Sequence, residues 1–198
     1  MQEPGIVIVG LGPAGANLLT REAWDWFNSL SEVYLRTAFH PCVGGLPTGL
    51  EVHSFDDVYE QEESLAAVLA EISQRVLQLG RRPGGVTYGV PGSPWVAEET
   101  TVQILAAAKE EGLPVRVIDG MSFVEPVCSA LGIDPSAKLF FVDALHLADR
   151  YVPSFPPSYG ALISQITAGM PLSEVKITLM SNYPDEYPVR SVSYKHLT

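Results

Sequence analysis

The chain has 198 residues, 46% of them hydrophobic, and a formal net charge of −11, with mean hydropathy +0.15 and a pI of about 4.7. That length buries one large core or two small ones, and so acidic a surface repels phosphate backbones, which argues against nucleic acid as a partner. No apolar run approaches the roughly 20 residues that span a bilayer, and the start "MQEPGIVIVG" lacks the basic lead of a secretory signal, so the expectation is a soluble, cytoplasmic protein away from membranes. In chain order, "GIVIVGL" (5–11) reads as a buried parallel strand. "ANLLTREAWDWFNSL" reads as a helix with Leu18, Leu19, Ala23, Trp26 and Phe27 on one face. "EVYLRT" (32–37) and "EVHSF" (51–55) read as strands, and "SLAAVLAEISQRVLQL" (64–79) as an amphipathic helix closed by Gly80. "GGVTYGVPG" (84–92) is a strand running into a turn, "AEETTVQILAAAKEEG" (97–112) a helix stopped by Gly112, and "LPVRVIDG" (113–120) a further strand. Strand and helix alternate through residues 1–120, which predicts an N-terminal α/β domain with a parallel sheet covered on both faces.

Residues 121–198 read differently. "MSFVEPVCSALG" has the look of a helix, whereas "KLFFVDALHLA", "SYGALISQIT" and "EVKITLMSNYP" are strand candidates. Between them "DRYVPSFPPSYG" is too rich in proline for regular structure. This predicts a second, smaller α/β domain with a mixed sheet, and the ending "YPDEYPVRSVSYKHLT", which stops without a clear final element, reads either as a truncated domain or as the boundary of a piece of a longer chain. Cys42 and Cys128 lie far apart, and neither they nor the four histidines show metal-ligand spacing, so two reduced thiols and no metal are expected.

Three glycine-rich turns end predicted strands. "GLGPAG" (10–15) satisfies the G-x-G-x-x-G pattern that lets a backbone approach a dinucleotide pyrophosphate. A dinucleotide site also needs an acid at the end of the second strand to hold the ribose, and "YLRTAFHP" offers Arg36 and Thr37 instead. The readings left open are a nicotinamide or flavin site and glycines that serve helix–strand packing alone. "GVPGSP" (89–94) has no lysine, so it is not a triphosphate loop; its prolines and single serine suit a neutral or zwitterionic ligand. "VIDGMSF" (117–123) is the third turn, and ligands of open α/β sheets bind beyond such carboxyl edges.

These stretches, "IVGLGPAGANLLTREA", "VTYGVPGSPWVAEETT" and "VIDGMSFVEPVCSALG", resemble the three glycine-loop motifs of the tetrapyrrole (corrin/porphyrin) methylases, class III S-adenosyl-L-methionine-dependent methyltransferases. "YLRTAFHP", "GMSFVEPVCSALGIDP" and "SEVKITLMSNYPDEYPV" bring the likeness nearest to the branch in which such a domain is fused to a MazG-type nucleotide pyrophosphohydrolase. The resemblance implies two α/β domains with S-adenosyl-L-methionine in the cleft between them, S-adenosyl-L-homocysteine as product, a small-molecule substrate, and a homodimer. It assigns Pro13, Pro91, Gly92, Ser93, Val96, Ser122, Phe123 and Gln165 to the cofactor. Two features depart from the family pattern: "PGSP" stands where uroporphyrinogen enzymes usually have Gly-Gly-Asp-Pro, and the family's final strands do not follow "YPVRS".

Methyl transfer from a sulfonium needs alignment more than acid–base help, because the positive sulfur already activates the methyl group. Arg36 and His40 are the substrate-facing candidates, Arg36 as a clamp for a carboxylate and His40 as an imidazole in the loop before Pro41. Ser93, Asp119 and Glu125 are further polar candidates, with Asp119 also readable as a cap for a helix at 121 and Glu125 as a helix-dipole partner. Trp24 and Trp26 suit packing or an interface. Tyr151, Phe155 and Tyr159 suit a substrate lid, a dimer arm or an ordered crossover loop. The leading expectation is a methyltransferase of unidentified, tetrapyrrole-class substrate; the alternative is a non-catalytic ligand-binding module of a MazG-type pyrophosphohydrolase.

Overall fold

The structure, a computed structural model, describes residues 5–136, 138–166 and 172–192. Two compact units divide the chain, one running to Val127 and the other covering Cys128–Val192. The first contains strands β1 (Ile6–Gly10), β2 (Glu32–Leu35), β3 (Glu51–Ser54), β4 (Val86–Val90) and β5 (Val115–Ile118). Its helices are α1 (Arg21–Phe27), α2 (Asp56–Gln61), α3 (Leu65–Gly80) and α4 (Glu99–Glu111). The five strands form one sheet in the order β3-β2-β4-β1-β5, every pair parallel. Among the described residues no helix is long and apolar enough to cross a membrane.

Both faces of this sheet are covered, which is why its central strands read as unbroken apolar runs. Ile6, Ile8, Val86, Tyr88 and Val90 pack on one side with Val68, Ile72 and Val76 of α3 and Ile104 and Ala108 of α4. Val9, Leu11, Val33, Leu35 and Ile118 pack on the other with Ala23 and Phe27 of α1. The side chains alternate between the two layers as the pleat requires.

Local chemistry explains where several elements begin and end. The helix expected directly after the first glycine turn starts later. Ala16–Leu18 form a 3-10 turn, and Leu19 and Thr20 are extended, with ψ 142° and 155°. Thr20 then caps α1 by accepting from Ala23 N. Gly80 does not close α3 but lies inside it, where a Cβ would come within 3.0 Å of Ile6 Cδ1 and 3.2 Å of Leu113 Cδ2; Arg81 is the cap. Gly112 does stop α4, in the left-handed conformation at φ 69°. Helix α2, with Asp56 and Asp57 in its first turn, is an element the sequence pattern did not reveal.

Helix α5 (Val124–Leu131) runs across the division between the units, and the second unit holds β6 (Leu139–Asp143), α6 (Ala144–Ala148), β7 (Gly160–Ser164) and α7 (Leu172–Met180). β6 and β7 pair in parallel. Two strand expectations need correction. "KLFFVDALHLA" is a strand only to Asp143, whose carboxylate accepts from Leu145 N at 2.7 Å and opens α6. "EVKITLMSNYP" is helical through Met180: Val175 and Thr178 are buried three residues apart while Lys176 and Ile177 are exposed. Packing against Ala144, Leu147 and Phe155 overrides the strand propensity of its β-branched residues. The stretch 149–159 is irregular, as its prolines require. Thr167, at the end of one expected strand, and the terminal "SYKHLT" lie outside the described residues.

Candidate functional site

Strands β4, β1 and β5 are adjacent in the sheet, and the three glycine turns leave their carboxyl ends. Gly12 and Gly92 bridge the first two turns: Gly12 N donates to Gly92 O at 3.1 Å and Gly92 N to Gly12 O at 2.8 Å. The third turn packs into the same place. A Cβ on Gly10 would stand 2.5 Å from Gly120 Cα and 2.7 Å from Gly92 O. A Cβ on Gly120 would stand 2.7 Å from Gly10 Cα and closer still to Gly92 O. The close approach that the glycines of "GLG" and "DGM" permit is therefore first of all to one another.

Gly92 differs. It has φ +69°, and a Cβ there would meet nothing within 4 Å. Its α-carbon faces open space at the point where the packed turns end, while its N–H and carbonyl are held by Gly12. Pro91 is half-buried and Pro13 is buried.

The polar side chains predicted around these turns are engaged locally. Ser93 is buried and its Oγ accepts from Trp95 N at 3.2 Å, while its carbonyl accepts from Val96 N. Ser122 is buried, accepts from Val124 N at 3.1 Å and donates to Glu125 Oε2 at 2.5 Å. Ser122, not Asp119, is thus the side chain bonded to the first turn of α5, through Val124 N and Glu125, and the Phe123 carbonyl accepts from Val127 N. Asp119 instead accepts from the Trp95 indole Nε1 at 2.9 Å. Its main-chain oxygen accepts from Thr20 Oγ1 at 3.1 Å. Gln165 belongs to the second unit, where it follows β7, exposed and with φ +62°.

Arg36 leaves the end of β2 and donates to Glu98 Oε2 at 2.9 Å. The Glu98 side chain is only 2% exposed and that of Arg36 21%. The other Glu98 oxygen accepts from Thr100 N and Thr100 Oγ1 at 3.2 and 2.5 Å, and Thr100 Oγ1 meets Tyr88 OH at 3.1 Å. A buried carboxylate of this kind is tolerable only with such a full set of partners. Tyr88, entirely buried and near Glu98, has its phenol pushed well above the ordinary range by burial. Arg36 is therefore held by Glu98 rather than presented bare.

His40 lies at the same edge. Burial pushes its imidazole down to about 4; hydrogen bonding to the Gly12 backbone opposes the shift and the Arg36 charge adds to it. It is neutral at pH 7, and its Nδ1 accepts from Cys42 N at 3.3 Å. Cys42 is buried beneath it, its thiol pushed up to about 11 by burial.

The aromatic candidates are mainly packing groups. Trp26 Nε1 donates to Thr87 Oγ1 at 3.2 Å, and Arg116 lies 5.0 Å over its ring. Phe155 is buried in the second unit, 6.1 Å from Phe140, and Tyr159 packs edge-on against Phe140 at 5.5 Å. Tyr151 is 96% exposed. Two open surface hollows, of about 530 and 430 Å³, contain no residue of the glycine turns. The larger is lined by charged groups already paired with each other, Arg21 with Asp25 and Arg116 with Glu22. Glu98, Thr20 and Trp95 are the participants the sequence reading missed. The acidic "AEETT" that opens a helix directly after a glycine turn was the available signal for Glu98.

Comparison with known proteins agrees with this architecture. The family of Tetrapyrrole (Corrin/Porphyrin) Methylases matches residues 5–194. YabN of Bacillus subtilis (strain 168), an uncharacterised protein, is 34% identical over 185 residues, 93% of this chain but 37% of its own length. The chain thus spans little more than a third of that relative. Among solved structures, uroporphyrin-III-C-methyltransferase from Thermus thermophilus superposes with TM-score 0.59 at 20% identity, over 91% of this chain and 73% of that one. Diphthine synthase gives 0.57 at 18%, over 89% and 70%. A uroporphyrin-III C-methyltransferase from Thermus thermophilus complexed with S-adenosylhomocysteine gives 0.50 at 19%, over 71% and 55%.

Proposed function

The chain belongs to the tetrapyrrole (corrin/porphyrin) methylases, and from that premise we propose that it binds S-adenosyl-L-methionine at its glycine turns and transfers the methyl group to a small molecule of tetrapyrrole class. The observation that carries this reading is the contrast among the glycines. Gly10 and Gly120 are filled by each other, while Gly92 leaves an open place at its α-carbon. A cofactor with a flat base and a zwitterionic amino-acid end fits such a place. Pro91, Gly92, Ser93 and Val96 would hold it, with Pro13, Ser122 and Phe123 on the neighbouring turns. S-adenosyl-L-methionine, when bound, supplies a methyl group activated by a positive sulfur. The chain's own part is alignment: Pro91 presets the turn by fixing its φ, and the mutual packing of three turns keeps that main chain from yielding. His40, neutral and beside Gly12, and Arg36, anchored by Glu98, are the groups on this edge proposed to face substrate.

Isothermal titration with S-adenosyl-L-methionine and S-adenosyl-L-homocysteine tests the reading. Micromolar binding by the wild type, lost in Gly92→Val while the fold persists by circular dichroism, is expected. A wild type that binds neither sinks it. Turnover is then sought with a panel of tetrapyrroles, and the family's homodimer is checked by sedimentation.

One observation favours a second reading, a non-catalytic cofactor-sensing domain attached to a MazG-type pyrophosphohydrolase. Ser93 and Ser122 are engaged in their own turns and Arg36 by Glu98, and the chain matches only 37% of its longer relative. That reading predicts tight binding with no turnover on any acceptor. It also predicts a nucleotide pyrophosphohydrolase activity in the longer relative that responds to S-adenosyl-L-methionine.

A further inference from the structure

We infer that Trp95 and Asp119 form a latch that positions the glycine turns for their ligand. Three hydrogen bonds run along the rim of the turns. Ser93 Oγ accepts from Trp95 N at 3.2 Å, fixing how the second turn leaves Gly92. The Trp95 indole Nε1 then donates to Asp119 Oδ1 at 2.9 Å, reaching the third turn. Thr20 Oγ1 donates to the Asp119 carbonyl at 3.1 Å, tying the third turn to the segment that leaves the first. One connected chain therefore links the second turn to the third, and the third to Thr20 in the segment beyond the first, outside the Gly12–Gly92 bridge that links the first two turns by main chain.

The packing at Gly10, Gly92 and Gly120 limits how closely the turns approach, and the paired Gly12–Gly92 main-chain hydrogen bonds hold the first turn to the second. The latch adds a side-chain tie between the second turn and the third. It does so from a position where burial contributes little: Trp95 is 57% exposed and makes no part of either core of the first unit. A large aromatic side chain held at the surface by one directed hydrogen bond, two residues from Ser93, is placed to set main-chain geometry rather than to stabilise the fold. Asp119, read from sequence as a helix cap or a group near the ligand, acts here through Trp95.

This inference rests on the reading of the turns as an S-adenosyl-L-methionine site, and the experiment separates the two. S-adenosyl-L-homocysteine affinity is measured by titration calorimetry on the full chain and on Trp95→Phe, Asp119→Ala and Asp119→Asn, with the melting temperature of each. Trp95→Phe and Asp119→Ala are expected to weaken binding about tenfold, the equivalent of one directed hydrogen bond, with little change in melting temperature. Asp119→Asn, whose amide oxygen still accepts from the indole, recovers most of that loss. Unchanged affinity in Trp95→Phe and Asp119→Ala overturns the latch. Equal losses in Asp119→Ala and Asp119→Asn also overturn it, because they make the carboxylate charge the active feature. A wild type that binds no S-adenosyl-L-homocysteine refutes the functional reading and the positioning role together. The indole Nε1–H resonance of Trp95, assigned by its absence in Trp95→Phe, then decides the contact itself: a shift and faster solvent exchange in Asp119→Ala support it, and an unmoved resonance refutes it.

Discussion

Gly120→Ala is the sharpest test of how the three turns meet. The added Cβ would stand 2.7 Å from Gly10 Cα and 2.8 Å from Gly10 C, and closer than either to Gly92 O, where ordinary contact begins at 3.4 Å. All three neighbours are main chain continuing from strands, so no rotamer can make room. β1 or β4 must shift at its carboxyl end. Overpacking of a tight site costs about 1–3 kcal/mol, and an unyielding backbone puts this case at or above the upper end. For a chain of this size a loss of about 3 kcal/mol lowers the melting temperature by on the order of 10 °C. Urea unfolding gives the free energy and differential scanning calorimetry the temperature. Gly92→Ala meets no atom within 4 Å but keeps φ +69°, so its cost is backbone strain alone, about 1–2 kcal/mol. Gly84→Ala, with no neighbour within 4 Å and no positive φ, is the control and leaves stability within about 0.5 kcal/mol or raises it slightly. Gly120→Ala as stable as that control would refute the backbone-to-backbone packing.

Other outcomes follow from the buried polar groups. Glu98→Ala leaves the Arg36 guanidinium without its carboxylate and α4 without its cap, and is expected to cost about 3 kcal/mol or more in urea unfolding. Arg36→Met/Glu98→Gln should recover part of that loss in a double-mutant cycle. His40 has a folded pKa of about 4, below the ordinary 6.5, so the unfolded chain binds the extra proton. Its contribution is intact above 6.5 and is lost as pH falls toward 4; stability measured against pH should lose slope over that window in His40→Asn. The Cys42 thiol, pushed up to about 11 and fully buried, should stay inert to a thiol reagent at neutral pH and react once the chain is unfolded; reaction in the native state would contradict its burial.

Much of the first unit was legible because its signals are local. Apolar runs ending in glycine mark β1, β4 and β5, Gly112 marks the stop of α4, and the motif order from Gly10 to Phe123 carries the family. The readings that failed did so where a local rule met a stronger tertiary one. "EVKITLM" has strand propensity, yet a helix buries Val175 and Thr178 together. Gly80 resembles a helix stop, yet α3 needs it to pass over Ile6 and Leu113. Asp119 resembles a cap, yet its carboxylate meets an indole 24 residues away in sequence.

The amino-acid sequence by itself determined most strands of the first unit, its glycine turns and the family, because propensity, capping and glycine placement act within a few residues. Only the tertiary structure decided that β4, β1 and β5 lie side by side, and hence that turns from residues 10, 92 and 120 interlock. Pairings across 62 residues, as from Arg36 to Glu98, depend on that strand order. The sheet brings β2 next to β4, and no local pattern in either segment encodes its neighbour.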